Sequence, residues 1–215
     1  MFLFVFACFL FGFIFLRAFL LVRKDVTYNE HKEKKYQHVK TLIVIGSGGH
    51  TAEMLRLVRS LNPKLYSPRT YILAKGDFTS ESKIHVVEEA LKCDNESNYN
   101  LERIPRSRNV GQSYFSSIFT TLYSILYCIP VMLIQRPNLI LTNGPGTCIP
   151  ICLIAFVMKI FYLCEGTTVF VESVCRVTSL SLSGKILLYF ADVVIVQWPE
   201  LQKKYKKTKY IGRLV

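Results

Sequence analysis

The chain of 215 residues is long enough for one domain of ordinary size with a short appendage, and too short for two full domains. Hydrophobic residues make up 51% of it and charged residues 20%, which excludes a disordered chain. Lysine and arginine total 27 against 15 acidic residues, giving a formal net charge of +12. A charge of this sign favours contact with anionic lipid headgroups, phosphates or nucleic acid.

The first 24 residues are predicted to form a transmembrane anchor. Residues 2–22 form an apolar run whose only charge is Arg17, and a helix of that length spans about 30 Å, the thickness of a hydrocarbon core. The basic residues Arg23 and Lys24 follow the run and no small-residue cleavage site comes after it, which favours an uncleaved anchor over a signal peptide. By the positive-inside rule, the N-terminus crosses the membrane and the main domain stays in the cytosol.

Residues 25–40 are predicted to form a basic linker. They are hydrophilic and carry four lysines, which fits a linker held near an anionic leaflet and a solvated linker equally well. In residues 41–215, short β-branched runs alternate with helical stretches, and apolar strands separated by helices are typical of a buried parallel sheet. We therefore predict one Rossmann-like α/β domain with helices on both faces of the sheet.

Strands and helices alternate along this domain. Strands are predicted at 41–45, 70–74, 100–104, 139–141, 168–171 and 193–196. Helices are predicted at 51–60, 83–91, 116–134, 148–160 and 180–190. Each strand but the last is followed by a helix, as expected of repeated β-α units.

Two apolar stretches, 118–134 and 148–164, approach the length of a membrane span. Pro130 breaks the first and Pro150 interrupts the second, which favours helices of the core or of the membrane surface. The aromatic side chains of the first stretch would suit a helix that lies at the membrane interface.

A glycine-rich loop follows the first strand and opens a helix. It consists of Gly46, Ser47, Gly48, Gly49, His50 and Thr51. Glycines let a ligand approach the backbone, and free N–H groups at a helix N-terminus favour an anion. The dinucleotide fingerprint would need a glycine in place of Thr51, and a P-loop would need Gly-Lys-Ser/Thr, so NAD binding and nucleotide hydrolysis are both disfavoured.

Three residues near the strand ends are candidates for catalysis. His50 lies where open α/β sheets bind ligands, and it could act as a general base, donate to a phosphate or simply end the turn. Glu53 could take part in chemistry or merely stabilise the helix dipole. Glu172 follows the strand that ends at residue 171 and is the third candidate.

A second glycine loop follows the fourth strand and contains Asn143, Gly144, Gly146 and Thr147. Parallel strands end at one edge of the sheet, so the two loops are expected to face each other across one cleft and cradle a diphosphate. Simple turn chemistry is the alternative. Arg106 and Arg108, after the third strand, would add cations to this cleft.

No metal site is predicted. The aspartates lie at positions 25, 77, 94 and 192, so no Asp-x-Asp pair is available to hold Mg²⁺ on a nucleotide diphosphate. The seven cysteines include no Cys-x-x-Cys, and Cys148 and Cys152 lack further zinc ligands. The cysteines are expected to be buried reduced thiols.

Residues 43–55, 141–147 and 171–176 resemble the membrane-anchoring subunits of the eukaryotic UDP-N-acetylglucosamine transferase that builds dolichol-linked oligosaccharide. The first segment, with its GSGGHT-AEM motif, is the most specific, and the similarity runs from about residue 41 to the end of the chain. More distantly, the chain resembles the N-terminal half of the bacterial peptidoglycan N-acetylglucosaminyltransferase. There a GGTGGH loop, a later glycine-proline loop and an acidic residue after a strand take corresponding places.

The resemblance implies the acceptor half of a GT-B glycosyltransferase that is split across two chains. This half would hold dolichol-diphosphate-GlcNAc between the two glycine loops, and a small soluble catalytic subunit would bind UDP-GlcNAc. The second GlcNAc would be added with inversion on the cytosolic face of the endoplasmic reticulum, without a metal or cofactor, and no nucleic-acid partner is implied. His50 would polarise or deprotonate the acceptor hydroxyl, or bind its phosphate.

The end of the chain is predicted to dock the partner. In the two-domain relatives a similar strand-glycine segment leads into the donor domain. The docking residues would be Gly212, Arg213, Leu214 and Val215. Two other interpretations stay open: a non-catalytic membrane scaffold that only recruits a soluble enzyme, and a polytopic membrane protein that uses the two apolar stretches as spans.

Overall fold

The computed structural model describes residues 2–23, 38–92, 98–108, 111–144 and 146–214. Most of the predicted linker and Val215 therefore lie outside the described residues. The strands are β1 (Thr41–Val44), β2 (Arg69–Ala74), β3 (Tyr99–Ile104), β4 (Leu139–Asn143), β5 (Thr167–Val171), β6 (Val193–Val196) and β7 (Thr208–Tyr210). The helices are α1 (Phe2–Arg23), α2 (Gly49–Arg59), α3 (Phe78–Leu91), α4 (Tyr114–Gln135), α5 (Cys148–Ile160), α6 (Leu182–Leu187) and α7 (Pro199–Lys204).

The seven strands form one parallel sheet in the order β3-β2-β1-β4-β5-β6-β7. The chain winds outward from β1 to β3 on one side, returns to the centre at β4, and then winds outward to β7 on the other side. The strand order therefore reverses between β1 and β4, and open α/β sheets bind ligands at the carboxyl ends of strands where the order reverses; this surface is called the crevice below. The predicted Rossmann-like parallel sheet is confirmed.

Helices cover both faces of the sheet, as predicted. Successive side chains of β1 point to opposite faces, so Leu42 and Val44 enter one core while Ile43 and Ile45 enter the other. The first core is completed by side chains of α4, α5 and α6, and the second by side chains of α2 and α3. Because both faces of the central sheet are buried, β1, β4, β5 and β6 are mainly apolar, which made them recognisable in the sequence.

Most differences between the predicted and observed elements lie at helix ends and at the C-terminal edge of the sheet. Helix α3 begins five residues earlier than predicted, because Asp77 caps it by accepting from the Ser80 amide at 3.1 Å. The prediction that Pro130 breaks the fourth helix is wrong, since α4 runs through it. The loss of one N–H is tolerated there because Cys128 and Met132 pack the helix into the core. Helix α6 is shorter than predicted, and α7 and β7 were not predicted.

Over its first turns, α4 has polar side chains on its inner face and apolar side chains outside. Ser117 and Ser124 are buried; Ser124 donates to the Pro105 carbonyl, and Thr120 donates to the Ser107 carbonyl at 2.6 Å. The exposed large apolar side chains along the helix are Phe115, Ile118, Phe119, Leu122, Leu126, Ile129 and Leu133, with Tyr123, Tyr127 and Ile134 exposed beside them. At helical periodicity the first seven form one continuous stripe. This polarity is the reverse of that of a helix packed on a core in water.

Among the stretches whose side chains are described throughout, Phe115–Gln135 in α4 is the one long and apolar enough to cross a membrane. The grounds are length and composition alone, and a core or interfacial helix meets the same criteria. Helix α5, within the other apolar stretch, lies in the core, where Ile151, Cys152 and Ala155 are buried.

Helix α1 covers the predicted anchor and contacts the domain near its C-terminal end. Arg17 donates to the Lys159 carbonyl through Nε at 3.2 Å and Nη2 at 2.7 Å, and its guanidinium carbon lies 3.1 Å from the centre of the Tyr162 ring. Lys207 Nζ donates to the Val22 carbonyl at 3.3 Å. Exposed large apolar side chains of α1 are Phe6, Phe9, Leu10, Phe11, Phe13, Phe15, Leu16, Phe19 and Leu20. Spanning of the membrane by this helix stays a prediction.

A buried ion pair between Arg69 and Glu88 ties β2 to α3. The guanidinium donates to the carboxylate through Nε at 2.7 Å and Nη2 at 2.6 Å, and the Tyr71 hydroxyl donates to the same carboxylate. The hydrogen bond to Glu88 raises the pKa of the Arg69 guanidinium, whereas burial is the main cause that raises the pKa of the Tyr71 phenol. Arg69 is therefore charged and Tyr71 neutral at physiological pH.

Glu88→Gln is expected to lower the free energy of unfolding by about 3 kcal/mol, because it leaves a buried guanidinium without its opposite charge. Glu89→Gln is the matched control, since Glu89 is exposed and pairs with Lys92 at the surface; this change should cost less than about 1 kcal/mol. Denaturant unfolding of both variants measures the difference. Equal stabilities would contradict the assignment of the buried pair.

Candidate functional site

The loop after β1 presents the N-terminus of α2 to solvent. Gly48 is the N-cap residue, with φ +68° and ψ −124°, a conformation open to glycine and strained for other residues. No side chain caps the helix, and Ser47, Gly48 and Gly49 are all exposed. Their backbone N–H groups are therefore accessible at the positive end of the helix dipole, where an anion is favoured.

The loop after β4 touches the loop after β1, as the sequence predicted for a shared cleft. Gly144 has φ +85°, and the His50 ring packs directly against it: a Cβ on residue 144 would lie 2.5 Å from His50 Cγ. Asn143 Oδ1 lies 2.9 Å from His50 Nδ1. The two loops follow neighbouring strands, so the contact lies at the crevice between β1 and β4.

Glu53 connects three elements beneath this contact. Its Oε2 accepts from Asn143 Nδ2 at 2.9 Å and lies 3.5 Å from His50 Nδ1. Its Oε1 accepts from Ser173 Oγ at 2.8 Å and from the Val174 amide at 3.2 Å, both in the loop after β5. With 8% exposure, this carboxylate stands inside the protein and holds α2, β4 and the loop after β5 together.

Some residues predicted to bind the diphosphate have their side chains occupied by the protein. Thr51 is buried; its Oγ1 donates to the Gly46 carbonyl and pairs with Ser80 Oγ at 2.8 Å. The Asn143 amide bonds His50 and Glu53 at its two ends, as described above. These side chains build the loops, so any anion would meet backbone amides instead.

The loop after β3 crosses toward the second glycine loop. Ser107 Cβ lies 3.8 Å from where a Cβ of Gly146 would stand, and hydroxyls of α4 hold this loop from below. Arg106 is half-buried and makes no hydrogen bond or ion pair within the described residues. Arg108 is exposed and donates to the Gln112 carbonyl at 2.9 and 3.1 Å. Of the two predicted cations, Arg106 is therefore the one whose side chain has no partner among the described residues.

Thr147 and Gly146 are half-buried at the start of α5. Thr147 is the N-cap residue of α5, and no side chain caps this helix either. Two uncapped helix N-termini, those of α2 and α5, thus lie at the same crevice. Their dipoles add, because both positive ends point to the carboxyl edge of the sheet.

Glu172 is buried away from this surface, with 1% exposure. Its carboxylate accepts from the Ser181 amide at 2.9 Å, from Ser181 Oγ at 3.0 Å and from the Ser173 amide at 3.1 Å. A Cβ on Gly184 would overlap Glu172 Oε2. Glu172 therefore holds the start of α6. Among the described residues its carboxylate is not exposed to a substrate, and a catalytic role for it stays a prediction.

The predicted docking tail runs beside the end of β6. The Leu214 amide donates to Gln197 Oε1 at 2.9 Å, and the Arg213 guanidinium carbon lies 5.4 Å from the centre of the Trp198 ring. Trp198 Nε1 in turn donates to the Val174 carbonyl at 2.7 Å. The tail is thereby linked through Trp198 to the loop that holds Glu53.

The described residues contain no group of three His, Cys, Asp or Glu side chains arranged to hold a metal ion. Cys148 and Cys152 are buried on one face of α5, as the spacing predicted, and burial raises the pKa of the Cys152 thiol to about 12. A buried thiol that keeps its proton is inert as a nucleophile or ligand.

Sequence reasoning missed Ser173 and Val174. Both follow Glu172 directly at the carboxyl end of β5, and this position alone would have made them candidates. Their role depends on a contact across 120 residues from Ser173 to Glu53, which no local pattern contains.

The fold matches about half of each of two larger solved structures. The structure is similar to MurG of Acinetobacter baumannii, with a TM-score of 0.54 at 14% identity over 75% of this chain and 43% of that chain. It is also similar to LpCGTa, solved in complex with UDP, with a TM-score of 0.50 at 12% identity over 83% of this chain and 53% of that chain. The chain thus spans about half the length of each, and at such identities the similarity shows the fold alone.

The chain belongs to the family described as "Oligosaccharide biosynthesis protein Alg14 like", whose model matches residues 41–214. Curated relatives are named UDP-N-acetylglucosamine transferase subunit ALG14. The Mus musculus relative is 50% identical over 86% of this chain and 87% of its own length. The Homo sapiens relative is 45% identical over 94% and 93%, and that of Schizosaccharomyces pombe is 42% identical over 90% of each chain.

Gly144→Ala is expected to displace the His50 ring, because the added Cβ would overlap it. Gly76→Ala is the matched control: Gly76 has φ +83°, nearly the +85° of Gly144, but open space around its Cβ position. Both variants carry the same backbone strain of about 1–2 kcal/mol. Only Gly144→Ala should shift the His50 ring signals in ¹H–¹³C NMR spectra of the protein in micelles. Unshifted signals would contradict the contact between the loops.

Proposed function

We propose that the chain is the acceptor-side, membrane-anchoring subunit of a UDP-N-acetylglucosamine transferase. Its acceptor is dolichol-diphosphate-GlcNAc, and the reaction adds the second GlcNAc of an N-glycan precursor. The observation that carries this proposal is the pair of uncapped helix N-termini, α2 and α5, that meet at one crevice beside His50. The accessible amides at the start of α2, with the positive end of the α5 dipole beside them, are suited to a diphosphate. The names of the curated relatives supply the donor sugar.

In the proposed complex, the acceptor diphosphate binds the exposed amides of Ser47, Gly48 and Gly49, with the start of α5 opposite. Gly146 and Thr147 contribute their backbone, and the half-buried Arg106 adds a positive charge. This places the sugar of the acceptor above the crevice, within reach of His50. Glycine at position 48 lets the lipid-borne diphosphate approach the backbone closely.

The chemistry is a single displacement. The acceptor hydroxyl oxygen bonds to the anomeric carbon of the donor GlcNAc while the bond from that carbon to the UDP oxygen breaks and UDP leaves with the electron pair. His50 takes the hydroxyl proton as general base, and attack opposite the leaving group inverts the anomeric configuration. No step requires a metal ion. The UDP-GlcNAc site belongs to a small soluble partner, so the chain alone is inactive.

The membrane approaches this site from the α4 side. The apolar stripe of α4 faces outward while its inner hydroxyls hold the loop that carries Arg106. A helix of this polarity lies at an interface with lipid on its outer face, in addition to the span formed by α1. The lipid-linked diphosphate then reaches the crevice from the headgroup level. The membrane is that of the endoplasmic reticulum, with the N-terminus lumenal and the domain cytosolic.

The soluble partner docks at the C-terminal tail. Ile211 is 61% exposed, and the neighbouring Arg213 lies over the Trp198 ring, so the tail offers an apolar surface with one cation. Val174, which donates to Glu53, also accepts from Trp198. Docking at this point brings the donor domain against the carboxyl edge of the sheet, where the acceptor sugar lies.

Co-expression of the chain with candidate soluble partners, followed by an assay of UDP-GlcNAc transfer to a polyprenyl-diphosphate sugar, tests the proposed function. His50→Ala is expected to lower transfer about a hundredfold, the usual contribution of a general base. His38→Ala is the control, since His38 is exposed and bonds only the Lys64 carbonyl among the described residues. Near-normal transfer by His50→Ala would remove the base role, and a scaffold without catalytic residues would tolerate both changes.

Deletion of residues 212–215 is expected to abolish recovery of the partner in a pull-down from detergent extracts. Helix α7 and strand β7 remain in this variant, so its folding can be checked by circular dichroism. Arg213→Ala, which removes the contact with Trp198, should weaken recovery without abolishing it. Full recovery after the deletion would place the docking surface elsewhere.

A further inference from the structure

The side-chain amide of Asn143 stands between two partners that together fix its orientation. Glu53 Oε2 lies 2.9 Å from one end and His50 Nδ1 lies 2.9 Å from the other. An ionised carboxylate only accepts hydrogen bonds, so the amide must turn its NH₂ group to Glu53. Its oxygen therefore faces His50, because the opposite orientation would set two acceptor oxygens against each other.

This orientation determines which nitrogen of the His50 ring carries the proton. Nδ1 faces Asn143 Oδ1 at 2.9 Å and, next, Glu53 Oε2 at 3.5 Å. Both atoms are acceptors, so Nδ1 is the N–H donor and Nε2 of the neutral ring keeps its lone pair. In the part of the chain that the structure describes, Nε2 has no hydrogen-bond partner, and 33% of the side chain is exposed.

Glu53 is itself held in the orientation that this arrangement needs. Ser173 Oγ and the Val174 amide both donate to Oε1, at 2.8 and 3.2 Å, which directs Oε2 to Asn143. The residue is only 8% exposed, so water does not compete strongly for these bonds. The loop after β5 thus sets the carboxylate, the carboxylate sets the amide, and the amide sets the imidazole.

We propose that Glu53 is a positioning residue which, acting through Asn143, holds His50 with its proton on Nδ1 and its lone pair on Nε2. Glu53 then needs no contact with substrate. For catalysis the inference rests on the proposed function, in which Nε2 receives the proton of the acceptor hydroxyl. The imidazolium so formed would lie 3.5 Å from the Glu53 carboxylate, which stabilises its charge.

The variant Glu53→Gln is expected to exchange the tautomer of His50, which can be measured. The two donors Ser173 and Val174 would claim the oxygen of the new amide, so its NH₂ group would face Asn143. The Asn143 amide would then turn over, present its oxygen to residue 53 and its NH₂ group to His50. Nδ1 would become an acceptor, and the proton would move to Nε2. The variant keeps the size and shape of the side chain, so the fold is retained.

The tautomer can be read from ¹⁵N NMR of the two-chain complex with labelled histidine, at a pH where the ring is neutral. The chain has four histidines, and loss of one signal in His50→Gln assigns the residue. We expect a protonated Nδ1 in the native protein and a protonated Nε2 in Glu53→Gln. Glu81→Gln is the matched control, because Glu81 lies on α3 and pairs with Arg103 of β3, and this variant should leave His50 in its native tautomer.

A native His50 protonated on Nε2, or an unchanged tautomer in Glu53→Gln, would overturn the inference. Transfer measured on the same samples tests the proposed function separately. We expect kcat of Glu53→Gln to fall about a hundredfold with KM for the lipid acceptor retained, since the base is lost but the diphosphate site is intact. An inverted tautomer with full transfer would leave the positioning role standing and remove His50 as the base.

Discussion

The reversal of strand order between β1 and β4 is the constraint on which the site depends. These two strands lie side by side, but the chain leaves β1 toward one face of the sheet and leaves β4 toward the other, since α2 and α5 belong to different cores. Helices α2 and α5 therefore run along opposite faces of the sheet, while their N-termini lie together at its carboxyl edge. Within the described sheet the strand order reverses only between β1 and β4, and such a reversal is where open α/β sheets bind ligands.

One buried carboxylate keeps that crevice in shape. A charge with 8% exposure would be costly if it lacked donors, but Glu53 receives hydrogen bonds from three groups on two different strand ends. Removal of any one donor leaves the others in place, whereas removal of the carboxylate frees Asn143 and Ser173 together. The hydrogen bonds of Glu53 thus fix the loops after β4 and β5 relative to α2 in the folded protein.

The architecture was predictable because strands buried on both faces are apolar throughout, and because parallel strands must end at a common edge. The contact between the two glycine loops could be predicted because both loops follow strands that end at this edge. The roles of individual side chains did not follow, since Asn143 bonds residues 90 and 93 positions away. Strand β7 was missed because Thr208–Tyr210 is short and polar at the sheet edge, with little local signal.

Helix α4 has an exposed apolar stripe on its outer face and buried hydroxyls on its inner face, beside the crevice. In water, exposing a stripe of aromatic and aliphatic side chains would raise the free energy of the helix. Against lipid, the outer stripe is stabilised, and the inner hydroxyls of Thr120 and Ser124 are satisfied by carbonyls of the loop that carries Arg106. In the proposed arrangement, the same helix meets the membrane and holds the loop that forms one wall of the site. Under that proposal, this one helix would bring a lipid-borne diphosphate and the loop that carries Arg106 to the same depth.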